Sequence, residues 1–272
     1  MKTALLACVL TATLMPAEMR SDVEFARRGT ESLTLDAYIP HGPGPFPAVI
    51  IVHGGGFIRG DKQTYVKPLF PVLTDAGFAW FTINYRLAPQ SKFPDPVHDV
   101  EDAVRWVMRN ARDYKVDPKK VALTGESAGG HLVSYVAVTT AKKLGLRAVI
   151  PIYAPHDLLG RARDEGKPTD NIQAFVGVGA DLTPEAVEKL QKASPYYFAQ
   201  KNIPPVLLIH GTKDAQVPYE QSVRMRAKLQ ELGVPCDLIT VENGGHGMGS
   251  WDKLPSQDWK PRLVEWLRAR LK

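Results

Sequence analysis

Short runs rich in valine and isoleucine recur along the chain, separated by stretches long enough to form helices. Runs of this kind are typical of parallel strands that are buried on both faces of a sheet. The sequence predicts six of them, preceded by a half-exposed strand at 32–39 in which apolar and polar residues alternate. The six predicted buried strands span 47–52, 78–83, 121–124, 147–153, 205–210 and 236–241.

Several intervening segments carry apolar residues at helical spacing. The clearest sets are Val97, Val100, Val104 and Val107; Val223, Ala227 and Leu229; and Leu263, Trp266 and Leu267. Alternating strands and helices favour the α/β class, in which a mostly parallel central sheet is flanked by helices on both faces. Ligands bind such sheets beyond the carboxyl ends of the strands, so we expect the functional residues there.

The length of 272 residues suits a single domain, which we place at 21–272. One polar stretch within it, 156–202, contains glycine and proline and lies between two predicted strands, so we interpret it as a candidate cap or insertion. The net charge of +5 comes from scattered lysine and arginine residues, which predicts no nucleic-acid partner. The sequence leaves the oligomeric state open.

The first residues have the pattern of a secretory signal peptide. Met1 and Lys2 precede an apolar stretch, 3–15, and we predict a signal peptide at 1–20 and a secreted or periplasmic protein. A cytoplasmic leader is the alternative, because 16–19 offers no small-x-small cleavage site. Removal of the peptide would take Cys8 with it, leaving Cys236 without a disulfide partner. Beyond this segment no apolar run approaches the roughly 20 residues of a membrane span.

The predicted strand 121–124 runs directly into Gly125-Glu126-Ser127-Ala128-Gly129, and a helix-compatible stretch follows. A serine between glycines at a strand-to-helix turn is the signature of an exposed nucleophile. We therefore predict that Ser127 is nucleophilic. The turn lacks the lysine and the spacing of a phosphate-binding loop. We expect the neighbouring Glu126 to point away from the reacting centre and to brace nearby groups.

A second glycine-rich loop, His53-Gly54-Gly55-Gly56-Phe57, follows the predicted strand 47–52. Consecutive glycines free backbone N–H groups to point at one spot, and such donors stabilise the oxyanion that forms during acyl transfer. We expect Gly55 and Gly56 to be oxyanion donors together with Ala128. We expect His53 to brace the loop.

A serine nucleophile requires a base, and a carboxylate must orient that base. Among the histidines, His246 fits best, because it lies in a glycine-rich loop just after the predicted strand 236–241. Two aspartates, Asp214 and Asp157, each follow a strand and precede the histidine. We favour Asp214, because its strand would lie beside the histidine loop, and Asp157 remains the alternative.

Taken together, these motifs resemble the α/β-hydrolase carboxylesterases of the hormone-sensitive-lipase-like type and related bacterial carbohydrate-side-chain esterases. The matching motifs are HGGGF at 53–57, YRLAP at 85–89, Phe93-Pro94 with Asp99, GESAGG at 125–130, His210-Gly211 with Asp214, Val217-Pro218, and His246-Gly247. The resemblance implies an α/β-hydrolase fold, a triad of Ser127, Asp214 and His246, and oxyanion donors at Gly55, Gly56 and Ala128.

The resemblance has departures. Larger members of this group have a helical N-terminal cap, whereas barely thirty residues precede the first predicted strand here, so we expect a minimal cap or none. The short form looks more like exported esterases that remove acetyl or feruloyl groups from plant polysaccharide, although fold alone does not determine substrate. We expect Phe57 and Tyr85 to bind substrate and to shape its pocket.

We therefore predict a serine carboxylesterase that hydrolyses short-chain acyl esters through an acyl-enzyme. Its partner would be a small or carbohydrate-linked ester, and no cofactor or metal is required, since the sequence has no H-E-x-x-H helix or C-x-x-C pair. One alternative is an arylformamidase or prolyl-type peptidase on the same fold. Another is a catalytically silent ligand-binding module, which the presence of His246 disfavours.

Overall fold

One eight-stranded sheet runs through the computed structural model, which describes residues 16–255 and 258–272. Its spatial order is β1-β2-β4-β3-β5-β6-β7-β8. Strand β2 pairs antiparallel with β1 and β4, and all other neighbours are parallel. The strands are β1 (Glu18–Arg28), β2 (Glu31–Ile39), β3 (Phe46–Val52), β4 (Ala79–Ile83), β5 (Val116–Glu126), β6 (Ala148–Ile152), β7 (Val206–Gly211) and β8 (Cys236–Val241).

Helices cover both faces of this sheet. They are α1 (Leu69–Asp75), α2 (Asp95–Arg109), α3 (Ala128–Thr139), α4 (Leu158–Asp164), α5 (Asp170–Val176), α6 (Pro184–Lys192), α7 (Glu220–Glu231) and α8 (Trp259–Arg270), with 3-10 helices at Pro195–Phe198 and Met248–Lys253. Side chains of β3 alternate between two cores: Ile50 and Val52 pack in the core of α2 and α3, whereas Val49 and Ile51 pack in that of α1 and α8. The predicted mostly parallel sheet with helices on both faces is confirmed.

The seven predicted strands all occur, with small differences in length. Strand β5 begins at Val116, five residues before the predicted start. Strand β8 has the predicted bounds but lies at the edge of the sheet, so its interpretation as a buried central strand was wrong. Strand β1 was not predicted, because it is an exposed edge strand in which only Phe25 is buried.

The first described strand bears on the predicted leader. Residues 1–15, which include the whole apolar stretch 3–15, lie outside the described residues, whereas β1 already begins at Glu18 and pairs with β2. The signal peptide at 1–20 therefore stays a prediction. No helix in the described ranges is both long enough and apolar enough to cross a bilayer.

The stretch 156–202 forms α4, α5, α6 and a 3-10 helix between β6 and β7. Its apolar residues Ile172, Phe175 and Leu190 are buried in the same core as α2 and α3. Phe175 stacks on Phe57, with ring centroids 3.9 Å apart. The insertion is therefore packed onto the main core, where it borders the carboxyl ends of the strands.

Candidate active site

A sharp turn between β5 and α3 exposes Ser127, the single residue that separates the strand from the helix. Its backbone has φ 52° and ψ −117°. Such a conformation costs about 1–3 kcal/mol for a residue other than glycine and persists only where surrounding structure enforces it. Two hydrogen bonds enforce it here: the Ser127 N–H donates to Ile152 O at 2.9 Å, and the Ser127 carbonyl accepts from the His131 N–H at 2.9 Å.

Close backbone packing explains the glycines around Ser127. A Cβ on Gly125 would lie 2.5 Å from the carbonyl oxygen of Gly129, and a Cβ on Gly129 would overlap the carbonyl oxygens of Val52 and His53. These contacts pack the turn against the end of β3. Glycine is thus required at 125 and 129 because the end of β5 packs closely against the end of β3.

Ser127, His246 and Asp214, distant in sequence, form a hydrogen-bonded chain. His246 Nε2 lies 2.9 Å from Ser127 Oγ, and His246 Nδ1 lies 2.7 Å from Asp214 Oδ2. An ionised carboxylate only accepts, so Nδ1 carries the proton and Nε2 accepts from the serine hydroxyl. The structure therefore places the three predicted residues in the order nucleophile, base, acid.

The environment of Asp214 keeps its carboxylate ionised. Burial raises the pKa of Asp214, but hydrogen bonds from His210 and His246 outweigh burial and hold the pKa well below its usual range. Oδ1 also accepts from the N–H groups of Gln216 and Val217 at 2.9 and 2.8 Å. An anion fixed in this way can orient His246 and stabilise its protonated form.

The alternative acid, Asp157, is engaged elsewhere. It is the N-cap of α4, accepting from the Gly160 N–H at 2.7 Å, and it pairs with Arg224 at 3.1 Å. The geometry thus brings Asp214 to His246 and uses Asp157 to begin a helix of the insertion.

The loop after β3 places Gly55 and Gly56 beside Ser127. Both glycines have positive φ, 102° and 64°, which a residue with a Cβ rarely adopts. They line one cavity together with Ala128 and Ser127. Within the described residues, the N–H groups of Gly55, Gly56 and Ala128 have no hydrogen-bond acceptor. This arrangement can present three donors to a developing oxyanion.

Glu126 braces the same loop, as predicted, and is also one of the residues that line the cavity. It accepts a hydrogen bond from the Gly54 N–H. Burial raises the pKa of Glu126 to about 7, although the Gly54 hydrogen bond and the charge of His246 oppose the shift. The carboxylate is thus held by the glycine loop, and the expectation that Glu126 points away from the reacting centre stays a prediction.

The two predicted pocket residues differ in position. Phe57 lines the cavity, although it is almost fully buried between Phe175 and His131. Tyr85 is absent from the described residues that line the cavity, and its hydroxyl lies 3.1 Å from His53 O. Its ring stacks on His53 at 4.3 Å. The prediction that Tyr85 contacts substrate is corrected: Tyr85 lies behind the glycine loop and supports it.

The cavity around Ser127 measures about 820 Å³ and is lined by residues of the insertion and of the surrounding loops. The insertion contributes the polar residues Arg161, Asp170 and Asn171. Tyr65 and Met248 line the cavity from outside the insertion. Sequence reasoning missed these residues, since the polar composition of 156–202 marked the insertion without indicating which side chains face the site.

A bound metal ion would need a group of side chains that can act as its ligands. Among the residues that the structure describes, no three His, Cys, Asp or Glu side chains are grouped to hold a metal ion. Cys236 is buried, and burial raises the pKa of its thiol to about 12.

The chain is similar to known esterases. The BD-FAE family profile matches residues 35–229. The chain is 28% identical over 230 residues to the esterase LipQ of Mycobacterium tuberculosis (strain ATCC 25618 / H37Rv), a match that covers 80% of this chain and 54% of that protein. The chain spans about half the length of the curated relatives it matches.

Two solved structures superpose over most of the chain. A truncated carbohydrate esterase from gut microbiota has a TM-score of 0.80 at 26% identity, covering 93% of this chain and 96% of that one. A bifunctional GH43-CE protein of Bacteroides eggerthii has a TM-score of 0.80 at 25% identity, covering 93% of this chain and 38% of that one.

Proposed function

The chain belongs to the BD-FAE family and has the α/β-hydrolase fold, and from this premise we propose that it is a serine carboxylesterase acting on short-chain acyl esters. The observation that carries the proposal is the chain Ser127–His246–Asp214 within one cavity beside the N–H groups of Gly55 and Gly56. The names of LipQ and of the carbohydrate esterase from gut microbiota also support ester hydrolysis.

The reaction has two acyl-transfer steps. Ser127 Oγ attacks the ester carbonyl while its proton moves to His246 Nε2. The N–H groups of Gly55, Gly56 and Ala128 stabilise the oxyanion. The carbon–alkoxide bond then breaks, the proton passes from His246 to the departing alkoxide, and an acyl-serine remains. A water molecule then attacks the carbonyl of the acyl-serine while its proton moves to His246. The bond to Ser127 Oγ breaks, the proton returns to Oγ, and the carboxylic acid leaves.

The finer substrate assignment is an acetyl or feruloyl group on plant polysaccharide. Support comes from the two superposed structures, which are named as a carbohydrate esterase and a GH43-CE protein. The exposed side chains of Ile58 and Tyr65 at the cavity are compatible with a substrate that extends beyond it. A secreted or periplasmic location, supported by the apolar stretch 3–15, would bring the protein to such a polymer.

The test measures initial hydrolysis rates of wild type and of Ser127→Ala. The substrates are p-nitrophenyl acetate, butyrate and octanoate, methyl ferulate and acetylated xylan. Rapid hydrolysis of acetate or ferulate that disappears in the variant would support the proposal. A preference for octanoate would contradict the short-chain assignment. Cleavage of a matching amide faster than the ester would favour the amidase alternative, and failure of an active-site phosphonate to label Ser127 would favour a silent binding module.

The location has its own test. Fusion of residues 1–30 to a reporter that is active only after export, in a bacterial host, should give reporter activity. Substitution of two leucines in 3–15 by aspartate should abolish it. Reporter activity confined to the cytoplasm would contradict export.

A further inference from the structure

Helix α5 brings the amide of Asn171 against the glycine loop. Asn171 Nδ2 lies 3.0 Å from the position that a Cβ on Gly56 would occupy, and both residues line the cavity that contains Ser127. A side chain of the insertion therefore stands next to a proposed oxyanion donor.

A neighbouring hydroxyl sets the orientation of this amide. Thr169 Oγ1 donates a hydrogen bond of 2.6 Å to Asn171 Oδ1. Since the oxygen is engaged, the nitrogen is the atom left to the cavity. Among the described residues, Asn171 Nδ2 has no hydrogen-bond acceptor. The site thus contains an oriented donor that is available to a ligand.

We propose that Asn171 Nδ2 donates to an alcohol oxygen beside the scissile ester, and so selects acetyl esters of vicinal diols, such as sugars, over those of simple alcohols. The inference rests on the proposed esterase function. Asn171 Nδ2 lies beside the Cα of Gly56, the residue whose N–H is a proposed oxyanion donor, so the two donors suit two acceptors a few bonds apart. An acetyl group has only its carbonyl oxygen, so the second acceptor belongs to the alcohol.

A partly acetylated sugar ring supplies that acceptor. The hydroxyl on the carbon next to the ester lies close to the carbonyl and can accept a hydrogen bond. Arg161 and Asp170 line the same cavity as Asn171. Further hydroxyl groups of the ring would therefore meet polar side chains.

The experiment compares two esters that differ by one hydroxyl: trans-1,2-cyclohexanediol monoacetate and cyclohexyl acetate. The readout is the ratio of their kcat/KM values, corrected by the same ratio for hydroxide hydrolysis. A ratio measured on one preparation is independent of the fraction of folded protein. Wild type is expected to prefer the hydroxy ester by about five- to tenfold, the range that one hydrogen bond supplies.

Asn171→Leu should bring the corrected ratio to about one by removing the donor. Gln191→Leu removes an exposed amide from α6, outside the cavity, and should keep the wild-type ratio. Thr169→Val should give an intermediate ratio, because the amide is then free to turn.

A corrected ratio near one for wild type would overturn the assignment. An equal fall in kcat/KM for both esters in Asn171→Leu would also overturn it, since Asn171 would then act on the carbonyl or on folding. Hydrolysis of neither ester by wild type, together with inactivity on p-nitrophenyl acetate, would instead overturn the proposed esterase function.

Discussion

The carboxylate of Glu126 accepts a hydrogen bond from the backbone N–H of Gly54. Glu126 directly precedes Ser127, and Gly54 directly precedes Gly55, so this contact joins the nucleophile turn to the oxyanion loop. Glu126 is only 3% exposed, and an ionised carboxylate on so buried a residue is costly. The position of the glycine loop relative to Ser127 is therefore coupled to the ionisation of Glu126.

Glu126→Gln should remove a pH-dependent loss of stability. The folded pKa of about 7 lies above the ordinary value of 4.5, so the folded state binds more protons between these values and stability falls as pH rises through them. The variant should gain stability relative to wild type from pH 5 to pH 8, by up to roughly 3 kcal/mol. Urea unfolding at both pH values measures this difference.

The control for that experiment is Glu185→Gln, which alters an exposed glutamate of α6. Its stability relative to wild type should change little with pH. Parallel pH profiles for Glu126→Gln and wild type would show that Glu126 titrates normally and would contradict the prediction.

Asp214→Asn and Asp157→Asn should separate the two acids that the sequence left open. Loss of the carboxylate at Asp214 leaves His246 in the wrong tautomer, and kcat on p-nitrophenyl acetate should fall about 10⁴-fold. Asp157→Asn removes an ion pair with Arg224 but keeps an oxygen that can cap α4, so stability should fall by at most about 1 kcal/mol while kcat stays close to wild type. The opposite pattern of kcat values would identify Asp157 as the acid.

The parts of the fold that could be predicted are those with a local signal. Strands β3 and β4 are buried on both faces, so their residues are almost continuously apolar. Strand β1 has no such run, because its edge position leaves most side chains exposed. Strand β8 is apolar enough to resemble a central strand, yet its neighbour lies on one side only.

In the active site, too, the residues that could be predicted are those with a local sequence signal. Ser127 and the glycine loop are recognisable because their backbone geometry requires glycine at defined positions. Membership of a motif does not reveal the direction of a side chain, which is why Tyr85 was assigned to the pocket. The approach of Asn171 to Gly56 depends on the path of a long insertion, for which no local pattern exists.

Tyr85→Phe should test the corrected role of Tyr85. The Tyr85 hydroxyl lies 3.1 and 3.3 Å from the carbonyl oxygens of His53 and Gly54, and its removal leaves these buried groups without that donor. Stability should fall by about 1 kcal/mol, and kcat should fall by one common factor on acetate, butyrate and ferulate esters. A change in the order of preference among these esters would instead show that Tyr85 contacts substrate.

Gly129→Ala should destabilise the protein, because its Cβ would overlap the carbonyl oxygens of Val52 and His53. Backbone atoms at the end of a central strand cannot move aside as a flexible side chain can, so the cost should be at least about 1–3 kcal/mol. Thermal unfolding measures the loss of stability. Esterase activity should fall as well, because the substitution displaces the turn that holds Ser127. Gly179→Ala is the matched control, since its Cβ would meet nothing within 4 Å. Equal melting temperatures for the two variants would mean that the turn is not packed against β3 as the structure describes.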